Sequence, residues 1–416
     1  MSSIQNRKLP IQNLMLSFEQ ALNTVQEKLA AVHPTLGTEV VPVGEACGRV
    51  LAEDVAADRD YPPFHRSLRD GFAVRAEDVA APTAELHWRG EIRAGAHFTG
   101  ALEPGECVSI MTGAPLPVGA DAVVMVEYTE SQGEKVKIHR GIRAGENVVR
   151  QGSEARSGAR VLPRGRRLGA GELGLLAALG KSLVPVFVHP VAAILPTGDE
   201  VVPVEQQPEW FQIRNSNAIS IAAQVAAAGG LPRCLEIAPD RPEALRGLIQ
   251  HGLSADLLLL SGGVSVGKYD FVEQVLADLG AEFYFHSVAL RPGKPLVFGR
   301  VGGKFFFGLP GNPVSTFVTF ALFVRPTLAA LGGGDFEAPL FLRARLGEAV
   351  QQKPGLTAFL PARLERSSGD SVVTLVGWQG SGDLVGLAAA NCFVVIHPDQ
   401  TNLAAGDWVD VMPKEP

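Results

Sequence analysis

Phe18, Leu22, Val25 and Leu29 recur at helical spacing, which predicts an amphipathic helix over Ser17 to Val32. Ser17 and Gln20 read as a capping box at its start. From about Val55 to Arg150 the pattern shortens to strand-like runs (CVSIMTG, DAVVMVEY, KVKIHRG) separated by glycine and proline. A β-rich segment without internal repeats is expected there. GAGELGLLAALG, after the basic turn LPRGRR, predicts a further helix.

From about Pro185 the rhythm becomes strand, loop, helix, repeated. VAAILPTGDE precedes the alanine-rich helix NSNAISIAAQVAAAGG, which stops at Gly229-Gly230. LPRCLEIAP leads to a helix expected to begin at Asp240, with Glu243 completing a capping box. ADLLLLSGG leads to FVEQVLADLG, and GKFFFGLPGN to a helix starting at Pro313. Buried apolar strands alternating with helices predict a mostly parallel sheet covered on both faces. After Gly332-Gly333-Gly334, read as a linker, FLRARL, VVTLVGW, CFVVIHP and DWVDVMP predict a small β-barrel or sandwich.

Composition narrows the function classes. Apolar residues make up 46 % and charged residues 19 %, which describes a chain with real cores. At about 150 residues per domain, 416 residues imply roughly three domains, or four small ones. A net charge of −7 argues against a nucleic-acid coat or an anionic-membrane binder. Cys47, Cys107, Cys234 and Cys392 are far apart, which argues against a thiolate zinc site or a disulfide framework. The histidines, His65 included, have no metal-ligand spacing. The N-terminus lacks the apolar core of a signal peptide, and a cytoplasmic protein is expected. The 20 uncharged residues between Lys304 and Arg325 are broken by Gly308, Pro310, Gly311, Asn312 and Pro313. They read as a buried strand, a turn and a short buried helix, with no membrane span.

In an open α/β sheet, ligands bind beyond the carboxyl ends of the parallel strands. Three unusual loops follow predicted strands here: PTGDE, SGGVSVGKYD and GLPGNPVS. Ser261-Gly262-Gly263 leaves backbone N–H groups free to meet an anion, or is simply a tight turn. Asn312 suits an N-cap and Pro313 the first helical position, which aims a helix N-terminus at the cleft. Asp199, Glu200, Asp240 and Asp270 stand at or after strand ends, where carboxylates hold Mg²⁺ against a phosphate or merely cap and solvate. Arg291 and Lys294 flank the turn in LRPGKP, placed to pair with an oxyanion. No nucleophile–histidine–acid set is identifiable, and no GxGxxG follows the first sheet strand. The residues alone therefore indicate an α/β domain for a phosphorylated small molecule.

PTGDE, SGGVSVGKYD, LRPGKP and GLPGNPVS in that order, with DGFAVR and IMTGAP upstream, resemble the MoeA family from about Phe18 to Met412. These are the molybdopterin molybdenumtransferases, related to the gephyrin E domain. The resemblance implies a multidomain α/β chain with a central, mostly parallel molybdopterin-binding domain like that of MoaB and MogA. An N-terminal helical and mixed domain would comprise 1–54 plus 151–186, with a β-rich domain, 55–150, inserted. The α/β domain would span 187–333 and a C-terminal β-barrel-like domain 334–416. It further implies a homodimer that binds adenylylated molybdopterin and molybdate, inserts the metal, and hydrolyses the adenylate in a Mg²⁺-dependent step releasing AMP and cofactor. Transient contacts with the adenylylating protein and with recipient molybdoenzymes follow from the same resemblance.

Carried over by motif, the catalytic set is Asp70, Thr112, Glu200, Asp240 and Asp270, with Asp240 and Asp270 on the metal. Gly262, Gly263, Ser265, Gly267, Pro310, Gly311, Asn312 and Ser315 would hold pterin and phosphate. Arg291, Lys294, Ser381 and Arg363 would hold molybdate. In the dimer, Asp70 and Thr112 would approach the sheet domain of the other subunit. Three positions depart from the family pattern. HRSLRDGFA stands for D-N-S-A-M-D-G-Y-A, Ser287 occupies a commonly basic position, and Pro361 stands where many relatives have a molybdate-binding arginine. Arg363 shares a strand face with Pro361 and is the expected substitute, with Arg66 and Arg69 as alternatives. The competing class is a non-catalytic pterin carrier, which has no need of Asp70, Asp240 and Asp270 together.

Overall fold

The computed structural model describes residues 15–31, 36–93, 95–263, 271–365 and 369–414. Ser265, Gly267 and Asp270 lie outside them. The chain divides into two compact units: Met1–Ala52, Arg167–Gly169 and Leu183–Pro416 in one, Glu53–Arg166 and Ala170–Ser182 in the other.

The larger unit is built on a seven-stranded sheet. Its strands are β1 (Met15–Leu16), β2 (Val191–Pro196), β3 (Leu231–Cys234), β4 (Leu257–Ser261), β5 (Glu282–Val288), β6 (Pro295–Val301) and β7 (Lys304–Leu309). They lie in the order β1-β5-β6-β7-β4-β2-β3. The β3/β2/β4/β7 run is parallel, while β5/β6 and β6/β7 pair antiparallel. Strand periodicity sends alternate residues to opposite faces. Ala192, Ile194, Leu257, Leu259, Phe305 and Phe307 face a core completed by α1 (Phe18–Ala30) and α2 (Ser216–Ala227). Ala193, Leu195, Leu258, Leu260 and Phe306 face the opposite core, with α3 (Pro242–Gly252) and α4 (Phe271–Asp278).

Helix α1 begins as expected: Ser17 Oγ accepts from the Gln20 amide at 3.2 Å, and Gln20 Oε1 accepts from the Ser17 amide at 2.9 Å. The helix after β7 is longer than its sequence suggested. It runs over Pro313–Leu331, 19 residues, with 78 % of its most apolar window buried inside the fold. Phe320–Val324 winds as a π turn, and Pro326 follows after Arg325. A widened turn is where a helix absorbs a residue that cannot donate to the ladder. Gly332, Gly333 and Gly334 are no loose linker either. Their amides return to the carbonyls of Leu328, Ala330 and Ala329, and a Cβ on Gly333 would lie 2.2 Å from Phe187 Cδ2.

The C-terminal strands settle the choice between barrel and sandwich. Thr357–Glu365, Val372–Leu375, Leu342–Leu346, Trp408–Pro413 and Cys392–Ile396 pair in a ring that closes on itself, a small barrel. In the smaller unit, Gly71–Val74, Ala84–Ile92, Glu106–Ile110, Ala122–Met125, Thr129–Gln132 and Lys135–Ile138 form a six-stranded sheet. The expected second helix is there too, at Ala170–Ala178.

Phe307 is fully buried and stacks on Phe298, with ring centroids 4.7 Å apart. Phe307→Ala is expected to lower the stability of the sheet unit by about 3–5 kcal/mol. Urea unfolding of the two proteins checks this.

Candidate functional site

Ser261, the last residue of β4, pairs with Pro196 of β2 on one side and Leu309 of β7 on the other. The three loops singled out from the sequence therefore leave the sheet at one level. The Gly262 amide donates to the Leu309 carbonyl at 3.2 Å. Gly262 and Gly263 have φ of +94° and +64°, the left-handed region that glycine adopts freely. A Cβ on Gly262 would stand 2.8 Å from the Thr197 carbonyl, and one on Gly263 2.8 Å from Val272 Cγ2.

The GLPGN turn lies against this one, with Gly262 Cα only 3.8 Å from where a Gly311 Cβ would be. Asn217, on the first turn of α2, bridges the two: its Nδ2 donates to Ser261 Oγ at 3.1 Å and to the Gly311 carbonyl at 2.8 Å. Sequence reasoning missed Asn217. Its only signal was its place in NSNAIS, two residues after the Asn215 cap, whose side chain accepts from the Ala218 amide at 3.1 Å.

Asn312 takes the N-cap position with Pro313 at the helix start, as expected, but its side chain makes no capping bond. Asn312 Nδ2 donates instead to Ser381 Oγ at 2.8 Å, while the Val314 amide donates to the Ser381 carbonyl at 3.0 Å. The structure thus brings Ser381, 69 residues away, onto the start of the helix. Ser315 and Pro310 are buried beneath the turn.

Arg291 and Lys294 are exposed in the turn before β6. Arg291 Nη1 donates to Gln352 Oε1 at 3.0 Å, and the Lys294 carbonyl accepts from the Val288 amide at 3.0 Å. Arg291 pairs with Ala358 of the barrel strand that also carries Arg363. Arg363 is exposed, and its side chain makes no hydrogen bond or ion pair among the described residues. Arg66 is already engaged, donating to Glu154 Oε1 at 2.8 Å.

The capping box expected at Asp240 is not formed. Helix α3 starts at Pro242 with Arg241 as its N-cap, because a proline serves the first turn without an N–H to satisfy. Asp240 instead donates its amide to Asp199 Oδ1 at 3.1 Å. Partial burial, then the charges of Asp199 and Glu200, push the Asp240 carboxyl above its ordinary range. A cleft of about 620 Å³ opens beside these acids, lined by Gly198, Asp199, Asn215, Cys234 and Pro239 among others. Among the described residues, no three His, Cys, Asp or Glu side chains form a metal cage. The all-oxygen donors and their unrelieved repulsion still suit Mg²⁺, which takes one or two protein carboxylates and completes its shell with phosphate and water.

In the smaller unit, two motifs far apart in sequence meet. Asp70 Oδ1 accepts from the Thr112 amide at 2.7 Å and from Thr112 Oγ1 at 2.8 Å. These two bonds, the amide's foremost, hold the Asp70 carboxyl below the usual range, so it stays ionised at neutral pH.

Three family models match in succession: the MoeA N-terminal region (domain I and II) over residues 16–180, a probable molybdopterin binding domain over 193–330, and the MoeA C-terminal region (domain IV) over 343–414. The chain belongs to the MoeA family. A protein of Nostoc sp. named molybdopterin molybdenumtransferase is 35 % identical over 408 residues, 96 % of this chain and 94 % of its own. One of that name from Bacillus subtilis is 36 % identical over 384 residues, 90 % of this chain and 89 % of its own. The crystal structure of a molybdopterin biosynthesis MoeA protein from Pyrococcus horikoshii superposes with a TM-score of 0.79 at 29 % identity, covering 96 % of this chain and 100 % of that one.

A raised carboxylate pKa means that folding favours the protonated acid. That contribution is fully present below the unfolded pKa and is lost as pH rises through the folded value. Asp240→Asn is therefore expected to match or exceed the wild-type Tm at pH 7, with the advantage vanishing as pH falls through the carboxylate range. Thermal melts across that range check the sign.

Proposed function

We propose that this MoeA-family enzyme acts in molybdenum cofactor biosynthesis, inserting molybdate-derived molybdenum into adenylylated molybdopterin as the adenylate is hydrolysed to AMP. The observation that carries the reading is the alignment of the Ser261-Gly262-Gly263 and Gly308–Ser315 turns at one sheet edge. The glycine turn and the positive dipole end of the helix that starts at Pro313 are matched to an anionic group, with the Gly262 and Val314 amides themselves bonded to the Leu309 and Ser381 carbonyls. Ser265 and Gly267, next in the sequence, join this set.

Arg291, Lys294, Ser381 and Arg363 are assigned to molybdate. The exposed cations attract the dianion, and Ser381 is positioned by Asn312 at the helix start. Asp240 and Asp270 are assigned to Mg²⁺, with Glu200 alongside. Bound Mg²⁺ neutralises charge on the pyrophosphate. Asp70, kept ionised by Thr112, completes the catalytic set. The same reading makes the protein a cytoplasmic homodimer with four domains, 1–54 plus 151–186, 55–150, 187–333 and 334–416. It meets the adenylylating protein and recipient molybdoenzymes only transiently.

Purified protein given adenylylated molybdopterin, molybdate and Mg²⁺ is expected to release AMP together with molybdenum cofactor, and EDTA is expected to stop both. No AMP release under these conditions overturns the reading.

The role of Arg363 is tested separately. A charge-assisted contact to an oxyanion implies that Arg363→Ala weakens molybdate binding about ten- to a hundredfold, with pterin binding unchanged. Molybdate titration with pterin bound measures it; equal affinities remove Arg363 from the site.

A further inference from the structure

Arg291 ends the short strand Leu290–Arg291, whose partner is the start of the barrel strand Thr357–Glu365. Leu290 is buried beside it, and the amide of the buried Thr357 donates to the Ala289 carbonyl at 2.9 Å. The backbone of Arg291 is thereby held by the barrel, while its side chain is exposed. An arginine side chain loses much rotamer freedom when it is ordered, so a restraint already present before the ligand arrives lowers the cost of binding.

Gln352 supplies that restraint. It follows the strand Val350–Gln351, which pairs with Asn402–Leu403, and its amide donates to the Thr401 carbonyl at 2.8 Å. From this fixed base its Oε1 accepts from Arg291 Nη1 at 3.0 Å. A guanidinium has only donors, so the oxygen end of the Gln352 amide is the end that faces it. The chemistry of the acceptor matters more than the bond itself. Elsewhere in the chain arginines are held by carboxylates, as Arg166 is by Glu172, Arg246 by Asp278 and Arg345 by Asp370. Such pairs cancel the charge. Gln352 is neutral, and among the described residues no acid forms an ion pair with Arg291, Lys294 or Arg363.

We propose that Gln352 is a positioning residue for molybdate binding: it holds the Arg291 guanidinium in place and leaves its positive charge uncancelled. A glutamate here would hold the same group by a stronger, charge-assisted bond, yet it would set a negative charge beside the bound dianion. Glutamine thus combines two properties that a salt bridge would trade against each other, fixed geometry and available charge. This role rests on the assignment of Arg291 to molybdate made above.

Gln352→Glu, Gln352→Met and Arg291→Ala are compared with wild type by calorimetric titration with sodium molybdate at neutral pH, and by thermal melts without ligand. Gln352→Glu is expected to match or exceed the wild-type Tm, because its bond to Arg291 is charge-assisted, and yet to bind molybdate about tenfold more weakly. A merely structural role for the bond predicts the opposite, since glutamate preserves it; wild-type affinity in Gln352→Glu overturns the proposal. Gln352→Met loses the acceptor without adding charge and is expected to bind molybdate several-fold more weakly at an unchanged Tm. Should Gln352→Glu melt lower than wild type, Gln352→Met decides: weakened binding upholds the positioning role, and wild-type binding overturns it. Arg291→Ala separates the two levels of inference. Weakened binding there, beside wild-type binding in both Gln352 variants, overturns the role of Gln352 alone. Unchanged binding in Arg291→Ala removes Arg291 from the molybdate site and overturns that assignment together with the role of Gln352.

Discussion

The in-register pairing of β2, β4 and β7 is the constraint on which the site depends. Because Ser261 is matched to Pro196 and to Leu309, the residues that follow those strands emerge side by side. Thr197, Gly262 and Pro310 are neighbours for that reason alone. A slip of one residue in any of the three would turn its alternate side chains to the wrong core and move its loop out of line. The apolar alternation that buries Leu257 and Leu259 on one face and Leu258 and Leu260 on the other thus also fixes where the anion-binding turns stand.

The second layer of the site is held by side chains that tie backbone to backbone. Asn217 spans the two glycine turns, and Asn312 recruits Ser381 from the barrel. Asn312 holds an N-cap position yet its side chain makes this longer-range bond in place of a capping one. An exposed cap contributes about 1 kcal/mol, whereas two loops locked together define the geometry in which a substrate must sit. Asp70 and Thr112 show the same economy in the smaller unit, where one carboxylate oxygen takes both donors of a residue 42 positions away.

Much of the fold was legible because hydrophobic period and turn chemistry agreed along the chain. The capping box at Ser17, the buried strands with their glycine-rich ends, and the Asn312-Pro313 helix start all rest on local rules. The misreadings have the opposite character. Asp240 looked like a cap because its spacing to Glu243 fits the box, yet Pro242 set the helix start and left Asp240 among like charges. Gly332-Gly333-Gly334 looked like a linker because composition cannot reveal that Phe187 fills the space a Cβ would need. Asn217 carried little signal beyond its place in NSNAIS, since what distinguishes it is a pair of contacts to two loops distant in sequence.

The π turn at Phe320–Val324 has a consequence for comparing relatives. One extra residue in a helical turn rotates everything downstream by about 100°. Pro326, Leu328 and Leu331, downstream of it, are buried, as are Thr327 and Ala329 between them. A relative lacking the insertion would present different side chains to each neighbour of this helix, so an alignment without a gap here would equate positions that pack against different partners. Arg325 is exposed amid buried neighbours at the point where the π turn ends.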